Sequence, residues 1–565
     1  MTRMTSEEGT QGVIRRVQWW FRGAIALCAL IDCWISRFRM NPDGVSYMDL
    51  GDLYWKGNWH AALNAYWSPL YGWLTGLMFL LTKPAMRWEY PEVHLLTFAI
   101  LVATLFCFEF FWRELLASKA NATWAGPMLT RAWVLGYLLF VYIHFSVHWL
   151  WLSTPDLLVA ALVYLALGMM LRFARGGMGM ASAILLGVIL GAGYLAKAAM
   201  LPFAAVLMMT MMAVAWRHKQ RKTLVAAVLL ACLLTCLPYI AALSWNVHRI
   251  TWGDSAKINQ AWFVNHVSPR FCHWQGDRPG REDALHPTRK ILAWPEVYEF
   301  AAPIAGTYPV WYDPGYWYAG ADSSMHPRLE IQAFTHNFMH LTELAFLESG
   351  FLVMVALLFV LGGRVRDSWR NWMAFWPILA PAAAVFLMYM MVCWEQRFTS
   401  AILLAAWGAA IVATRISDEK RKSMVFWTAT LLLCALIVAR ITYIQIGDHQ
   451  KNKASAHSVL VAERLRSMGI EPGTPIALIG DGVDASDWAR LGRVRIIAEV
   501  PHDHHADIRD SATAFWNSNP EGEKTVLNVL KSTGAKAVVA DAIPPALPPG
   551  WLPLGSTGRA VYFFQ

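Results

Sequence analysis

The sequence predicts a polytopic α-helical membrane protein of about 11 spans, each about 20 residues long, with a small α/β domain at its C-terminal end. Hydrophobic side chains make up 56% of the 565 residues, and 30 residues are tryptophan. The mean hydropathy is +0.36. Apolar runs recur throughout residues 1–446, whereas residues 447–565 have the composition of a soluble chain. A set of ordinary soluble domains is therefore excluded.

The net charge of +9 does not indicate a nucleic-acid-binding protein. Lys and Arg are concentrated in short loops between apolar runs, where the positive-inside rule accounts for them. Seven of the eight cysteines lie in apolar runs and only Cys272 lies in a polar loop, which excludes a disulfide framework. Arg15 and Arg16 precede the first run and no cleavage site follows it, which predicts a retained first span that starts in the cytoplasm.

Eleven apolar runs are predicted to cross the membrane. They occupy residues 17–38, 92–112, 128–150, 156–172, 180–198, 200–216, 223–245, 342–361, 373–393, 398–415 and 424–446. The basic loops 217–222, 363–370 and 415–422 are predicted to be cytoplasmic. Alternation of the spans then places residues 172–175 inside and residues 154–156 outside.

A twelfth, shorter apolar run occupies residues 67–83. If this run crossed the membrane, the two ends of the chain would not keep their predicted sides. It is therefore predicted to lie against the outer leaflet as part of an outer loop, residues 39–91. This topology leaves the C-terminal domain outside, and a bacterial inner membrane is the expected location.

Two further outer regions are predicted. The loop 246–340 is rich in Trp, Tyr, Pro and His, which is typical of a partly ordered cover over a site. In the tail, residues 447–565, a helix stops at Gly469. Short apolar runs then alternate with polar helical stretches, which predicts an α/β domain whose strands cover residues 475–480, 493–500, 535–541 and 560–564. The sequence has no internal repeat of the kind found in many transporters.

Polar side chains gather at the predicted outer side. They are Asp43, Asp49, Asp52, Asp156, Lys197, His336, His340, Glu395 and Arg397. Carboxylates facing cations at one membrane surface are typical of a site that binds an anionic lipid headgroup and carries out acid or base chemistry. The alternative is that they are interfacial ion pairs and snorkelling side chains.

Asp43 is the strongest catalytic candidate. Pro42 and Gly44 hold it on a turn just after the first span, although an N-cap of the following helix explains it equally well. Asp49 and Asp52 would share one face of that helix. A solvated position is the more economical interpretation of Asp52.

The later polar residues have alternatives of the same kind. Asp156 begins a helix, where capping also explains it, while Lys197 has no nearby acid in the sequence and is a reasonable phosphate partner. Arg397 is similar, unless Glu395 pairs with it. His336 and His340 would share a helix face and could bind a metal or a phosphate, although no third ligand is evident.

Two motifs in the tail carry weaker predictions. Residues 502–507 read HDHHAD, for which a solvated loop is favoured over a metal site because the ligand spacing is not defined. Gly480, Asp481 and Gly482 follow a strand, but without a GxGxxG pattern they are weak evidence of a nucleotide site.

The order of these motifs resembles the GT-C glycosyltransferases, and within them the protein O-mannosyltransferases and the lipid A aminoarabinose transferases. The resemblance rests on Asp43 in the first outer loop, the sequence WSPL at residues 67–70, TPD at residues 154–156, Lys197 followed by Pro202, and Arg397. Two positions depart from the pattern. Gly44 stands where many relatives have a second acid, and residues 67–70 stand where they have HPPL.

The resemblance implies an inverting hexosyl or pentosyl transfer from a polyprenyl-phosphate sugar to a lipid, glycan or protein acceptor. Asp43 would be the base, and Lys197 and Arg397 would stabilise the phosphate. Asp156 would orient the acceptor or help bind a divalent metal ion, the only cofactor in view. Substrate contacts are expected from Tyr47, Asp49, Tyr66, Ser68, Pro69, Lys197, His336 and Arg397.

Two other functions are weighed against the transferase. A lipid-linked sugar flippase would require ionisable residues in the middle of the membrane and duplicated halves, neither of which is evident. A scaffold whose tail binds a partner would leave Asp43 dispensable.

Overall fold

The computed structural model describes residues 2–118, 124, 127–146, 150–216, 219–267, 289–300, 305–318, 323–416, 418–502, 510–541 and 543–564. The helices are α1 (Thr2–Ile35), α2 (Pro42–Trp55), α3 (Trp59–Ala62), α4 (Pro69–Thr82), α5 (Glu89–Leu116), α6 (Pro127–Ser146), α7 (Asp156–Ala174), α8 (Met180–Ala196), α9 (Met200–Ala215), α10 (Lys219–Asn246), α11 (Ser255–Asn259), α12 (Pro309–Tyr312), α13 (Pro314–Trp317), α14 (Pro327–Gly362), α15 (Val365–Met373), α16 (Trp376–Met391), α17 (Gln396–Ala413), α18 (Glu419–Ser467), α19 (Gly482–Gly492), α20 (Ser511–Trp516) and α21 (Pro520–Ser532). A 3₁₀ turn covers Met86–Trp88 and a π turn covers Gln260–Val264.

The described helices identify a multi-pass membrane protein. Six are long and apolar enough to cross a bilayer: Met86–Leu116, Met128–Phe145, Asp156–Ala174, Arg221–Asn246, Gln396–Ala413 and Glu419–Tyr443. Helices α15 and α16, bent by 76° at the break between them, form a seventh if they count as one span. The predicted number of 11 spans is not confirmed within the described residues.

Helix α4 is too short to cross the membrane as a single straight helix. Its 14 residues extend about 21 Å at 1.5 Å per residue, whereas the hydrocarbon core is about 30 Å thick. The helix starts at Pro69 and ends at Thr82, and the next residue, Lys83, has a left-handed backbone with φ of 48°. Its length therefore agrees with the prediction that residues 67–83 do not cross.

Glycines allow α2 and α4 to pack backbone against backbone. A Cβ atom on Gly51 would lie 2.7 Å from the carbonyl oxygen of Gly72 and 2.7 Å from the amide nitrogen of Gly76. Only glycine permits so close an approach. The contact fixes α2 against α4. Both helices lie at the end of the helix bundle that contacts the tail, and we call this end the tail side.

The C-terminal region contains a seven-stranded sheet in the order β1-β2-β4-β3-β5-β7-β6. The strands are β1 (Arg289–Ala293), β2 (Glu296–Glu299), β3 (Pro475–Gly480), β4 (Arg495–Pro501), β5 (Ala537–Ala540), β6 (Trp551–Pro553) and β7 (Ala560–Phe563). Strand β3 pairs in parallel with β4 and β5. The predicted strands are confirmed as β3, β4, β5 and β7. Strands β1 and β2 come from the loop 246–340, so this loop belongs to the sheet as well as to the membrane region.

One helix joins the membrane region to the tail. Helix α18 runs without a break from Glu419 to Ser467, so the predicted domain boundary after residue 446 falls inside it. The helix ends where the sequence indicates, because Gly469 takes a left-handed backbone with φ of 90° just beyond it.

Two ionisable residues within the apolar segments, Arg22 and Glu109, pair with each other. The guanidinium of Arg22 in α1 donates from Nε to Oε1 of Glu109 in α5 at 2.8 Å. The hydroxyl of Tyr137 donates to the same oxygen at 2.6 Å. These contacts form a closed neutral pair, which is the arrangement that makes charges tolerable in an apolar bundle.

A buried ion cluster attaches the tail to the membrane region. Nη1 of Arg490 in α19 lies 2.8 Å from Oδ1 of Asp49 and 3.2 Å from Oδ2 of Asp52, both in α2. Nε of Arg490 lies 3.1 Å from Oε2 of Glu89 at the start of α5, and Arg493 contacts the other oxygen of Glu89 at 2.6 Å. Arg490, Asp49 and Glu89 are all buried. Each therefore depends on the others for charge compensation.

We expect Arg490→Met to destabilise the protein strongly. The change leaves Asp49 buried without its ion-pair partner and leaves Glu89 paired with Arg493 alone. Breaking a buried ion pair in this way costs about 3–5 kcal/mol. Thermal unfolding in detergent and protease sensitivity of the tail measure the effect. Arg495→Met is the matched control, because the Arg495 side chain is exposed and its one hydrogen bond among the described residues is a 3.5 Å contact to the carbonyl oxygen of Gly473. Equal stability of the two variants would contradict the role given to the cluster.

Candidate active site

Asp43 lies in the first turn of α2 and is not its N-cap. The N-cap position belongs to Asn41, and Pro42 is the first helical residue. The side chain of Asn41 does not cap the helix. Its Oδ1 accepts a hydrogen bond from the Ser153 amide at 2.9 Å, which connects the turn before α2 to the segment before α7. The capping explanation of Asp43 is therefore wrong, and its carboxylate is available for other contacts.

Gly44 makes this connection possible. A Cβ atom at residue 44 would lie 2.8 Å from Cβ of Ser153 and 3.1 Å from Oδ1 of Asn41. Contacts this short require one of the two segments to move. The glycine next to Asp43 is thus explained by packing against Ser153.

The Asp43 carboxylate is partly buried and forms a hydrogen bond with Trp311. Nε1 of Trp311 donates to Oδ1 of Asp43 at 3.3 Å. Burial raises the pKa of Asp43 above its ordinary value, and the negative charges of Asp156 and Glu395 add to this effect. The positive charge of Arg397 and the hydrogen bond from Trp311 oppose it. A carboxylate of raised pKa is a stronger base than an ordinary aspartate.

Trp311 is a residue that sequence reasoning missed. It lies in α12, in the described part of the predicted cover loop, and its carbonyl oxygen accepts from Oγ of Ser46 and Nε1 of Trp67, each at 3.0 Å. Its ring stacks on Trp262 with centroids 6.0 Å apart and planes within 7°. The aromatic content of the loop was the available signal, but it did not single out one tryptophan.

Asp156, Lys197 and Arg397 come together from three different helices or helix ends. Nζ of Lys197 lies 2.5 Å from Oδ1 of Asp156, and Nη1 of Arg397 lies 3.6 Å from Oδ2. Oδ2 of Asp156 also accepts from the hydroxyl of Thr154 at 2.9 Å. Nε of Arg397 contacts Glu395 at 2.5 Å. The predicted grouping of these charges at one end of the bundle agrees with the structure.

An apolar cleft leads to these charges. Helices α7, α9, α16 and α17 contribute its walls, which include Val159, Val163, Phe203, Val385 and Ile402. Lys197, Arg397 and Asp156 line its polar end. The open volume is about 20 Å³, which is room for about one water molecule. The cleft is therefore closed in this structure, with its cations bound to Asp156.

The predicted aromatic residues surround Asp43. Tyr47 is buried and packs edge to face against Trp67 and Tyr71, with centroids 5.3 and 5.2 Å apart. Burial raises the pKa of Tyr47, and the nearby charges of Asp43 and Asp156 raise it further, so the hydroxyl stays protonated. The hydroxyl of Tyr66 donates to Asn259 at 3.0 Å. Ser68 and Pro69 form the start of α4.

Several predicted residues lie elsewhere. Asp49 and Asp52 belong to the Arg490 cluster, and the amide and hydroxyl of Thr307 donate to Asp49 at 2.7 and 3.0 Å. Asp49 therefore has no free oxygen for a substrate, which corrects its predicted role as a substrate contact. Likewise, Asp52 is an ion-pair partner and not merely a solvated side chain.

The histidine predictions are not supported by a ligand set. His336 and His340 are exposed on α14, and the His340 ring lies 6.1 Å from the Trp394 ring. Of residues 502–507, all but His502 lie outside the described residues, and His502 pairs with Asp510 at 2.9 Å. The described residues contain no group of three or more His, Cys, Asp or Glu side chains that could hold a metal ion.

The Gly480–Gly482 motif has a structural role in the tail. Asp481 is the N-cap of α19 and accepts from the amides of Val483 and Asp484 at 2.7 and 3.2 Å. This motif therefore orients the helix that carries Arg490.

Comparison with known proteins finds similarity only among solved structures. No family model and no curated protein matches the chain. ArnT from Cupriavidus metallidurans in the apo state is similar over 97% of this chain and 98% of its own, with 12% identity and a TM-score of 0.42. The same protein bound to undecaprenyl phosphate is similar over 96% of this chain and 96% of its own, with 12% identity and a TM-score of 0.41. An oligosaccharyltransferase from Archaeoglobus fulgidus, in complex with zinc and sulfate, covers 91% of this chain and 68% of its own, with 12% identity and a TM-score of 0.44.

We expect Gly44→Ala to destabilise the protein by about 1–3 kcal/mol, the usual cost of overpacking. The added Cβ would press on Ser153, so Ser153→Gly in the same chain should recover part of the loss. Thermal unfolding in detergent measures both. Gly179→Ala is the control, because a Cβ there would meet no atom within 4 Å. If the double variant is no more stable than Gly44→Ala, the contact with Ser153 is not the cause.

Proposed function

We propose that the protein is a membrane glycosyltransferase that moves one sugar from a polyprenyl-phosphate carrier to an acceptor hydroxyl on the tail side of the membrane. The observation that carries this proposal is the combination of a partly buried carboxylate with a raised pKa, Asp43, and two nearby cations, Lys197 and Arg397, at the end of an apolar cleft. A base, a phosphate partner and a channel for a lipid tail are the groups that such a transfer requires.

In the proposed reaction, the acceptor oxygen attacks the anomeric carbon of the sugar from the face opposite the phosphate. The acceptor proton passes to a carboxylate oxygen of Asp43 as the new carbon–oxygen bond forms. The bond between the anomeric carbon and the phosphate oxygen breaks, and its electron pair leaves with the polyprenyl phosphate. One displacement of this kind inverts the configuration at the anomeric carbon.

Lys197 and Arg397 stabilise the negative charge that develops on the leaving phosphate. Their contacts with Asp156 favour a role for this aspartate in holding the cations ready, over a role in orienting the acceptor. The phosphate must share the cations with Asp156 or displace it. Because the cleft is closed without a ligand, donor binding also requires its walls to separate.

The proposal assigns the tail side to the outer face of a bacterial inner membrane. Basic residues support this orientation, because Arg172 and Arg175 lie at the opposite end of α7 from Asp156, and Arg421 lies at the start of α18. Residues 1–446 would then be the membrane catalytic domain and residues 447–565 an external domain.

We expect Asp43→Asn to abolish release of polyprenyl phosphate from polyprenyl-phosphate sugars while donor binding is kept. The asparagine cannot take the acceptor proton, and loss of a general base costs about 10²–10⁴-fold. Purified protein is assayed against a panel of donors in membrane extract that supplies acceptors, with and without a chelator. Asp367→Asn is the control, because Asp367 is an exposed carboxylate far along the chain, in α15. Equal release by wild type and Asp43→Asn would remove Asp43 from catalysis.

We expect Trp311→Phe to shift the acid limb of the pH–activity profile to higher pH. Asp43 must be ionised to act as base, so activity is lost as pH falls through its raised pKa. Removing the Trp311 donor destabilises the ionised form and raises the pKa further, by about one unit for one hydrogen bond to a charge. Trp262→Phe is the matched control, because Nε1 of Trp262 is buried without a hydrogen-bond partner among the described residues. An unchanged limb in Trp311→Phe would contradict the proposed role of this bond.

A further inference from the structure

A second cavity lies on the tail side, at the opposite end of α2 from Asp43. Its volume is about 310 Å³, which is within the range of small-ligand pockets. Three cations line it, Lys56, Lys83 and Arg493, together with the single carboxylate of Asp52. Asp43 and Trp55 are 12 residues apart on α2, or about 18 Å at 1.5 Å per residue. The cavity is therefore separate from the candidate active site.

Two of these cations have an unusual backbone. Lys83 follows the end of α4 with φ of 48°, and Arg493 follows the end of α19 with φ of 52°. Glycine or asparagine is the usual residue at such positions, because a left-handed backbone is strained for other side chains. Only four non-glycine residues with positive φ occur in the described part of the chain, and two of them line this cavity. Strain of this kind is retained where the side chain has a task.

The cations have spare capacity for an anion. Nζ of Lys56 is 3.4 Å from Asp52, and its side chain is 68% exposed. Nε and Nη2 of Arg493 donate hydrogen bonds to Oε1 of Glu89. Its Nη1 has no hydrogen-bond acceptor among the described residues. Lys83 is exposed and makes no ion pair there. Asp52 and Glu89 already serve the buried Arg490, so they only partly neutralise the cavity.

The cavity lies at the edge of the membrane. The apolar span that contains α5 starts at Met86, three residues after Lys83. Leu80 and Trp55 line the cavity, and Leu80, Leu81 and Trp55 are exposed apolar side chains beside the cations. Exposed leucine and tryptophan next to lysine and arginine are the side chains that contact acyl chains and headgroups at a membrane interface.

We propose that this cavity binds the phosphate of an anionic phospholipid, separate from the sugar donor, and that the lipid joins the tail to the membrane. Its phosphate would contact Lys56 and Lys83 from the membrane region and Arg493 from the tail. Its acyl chains would follow the exposed leucines of α4. The lipid thus adds a second attachment beside the Arg490 cluster. This inference does not depend on the proposed transferase activity.

Native mass spectrometry of the delipidated full chain, titrated with phosphatidylglycerol or phosphatidylcholine, tests the proposal. We expect tighter binding of phosphatidylglycerol, weakened about fivefold by Lys83→Gln, as for one cation at an anionic lipid surface. Lys83→Gly should lose the same binding without any loss of thermal stability, because glycine relieves the strained backbone. Arg87→Gln is the matched control, since Arg87 is an exposed cation on the next turn that packs near Phe38.

Three results would overturn the proposal. The first is equal loss of binding in Arg87→Gln and Lys83→Gln, which would mean a diffuse surface charge. The second is loss of phosphatidylglycerol binding in Lys197→Gln with Lys83→Gln unaffected, which would mean that the lipid occupies the donor cleft. The third is full competition by millimolar inorganic phosphate, which would mean a site for free phosphate. Retention of binding in Lys197→Gln supports the proposal.

Discussion

The ion cluster around Arg490 is the interaction on which the position of α2 depends. Charged groups taken out of water require close partners, and here three carboxylates share one guanidinium. Two of the carboxylates lie on α2 and the third begins α5, so the tail, the membrane span and α2 meet at one residue. Because α2 is a rigid helix of 14 residues, this attachment at its middle also sets the place of Asp43 at its start.

The segment that contains Thr307 and Trp311 also fixes the position of α2 relative to the tail. Thr307 donates to Asp49, and its carbonyl oxygen accepts from the Ile496 amide in β4 at 3.1 Å. Four residues later, Trp311 donates to Asp43. One short segment thus connects the sheet of the tail to Asp43 and Asp49, two of the three aspartates of α2. The tail is therefore part of the framework that holds the candidate base, not an independent appendage.

Much of this arrangement could be predicted from the sequence, and the rest could not for identifiable reasons. Alternation of basic loops is enough to bring Asp156, Lys197 and Arg397 to one side of the bundle. The ion pairs of Asp49 depend on Arg490, 441 residues later, and no local pattern distinguishes that arginine from its neighbours. Strands β1 and β2 are short, and they join the sheet only because β1 pairs with β2 and β2 pairs with β4. Their sequence alone therefore predicts an irregular loop. Asp43 can be identified from the turn in which it lies, whereas Trp311, which donates a hydrogen bond to it, can be identified only from the folded structure.

Gly44 leaves Asp43 without a second carboxylate beside it on α2, and the neighbouring negative charges come from other helices. A side chain at residue 44 would collide with Ser153, so no carboxylate fits beside Asp43 on α2. Asp156 and Glu395 instead bring negative charge to Asp43 from α7 and from the N-cap of α17, and this charge raises its pKa. In the proposed reaction, an anionic donor phosphate adds to the same field while it draws on Lys197 and Arg397. Donor binding would then strengthen the base, so that the acceptor proton is removed most readily when both substrates are in place.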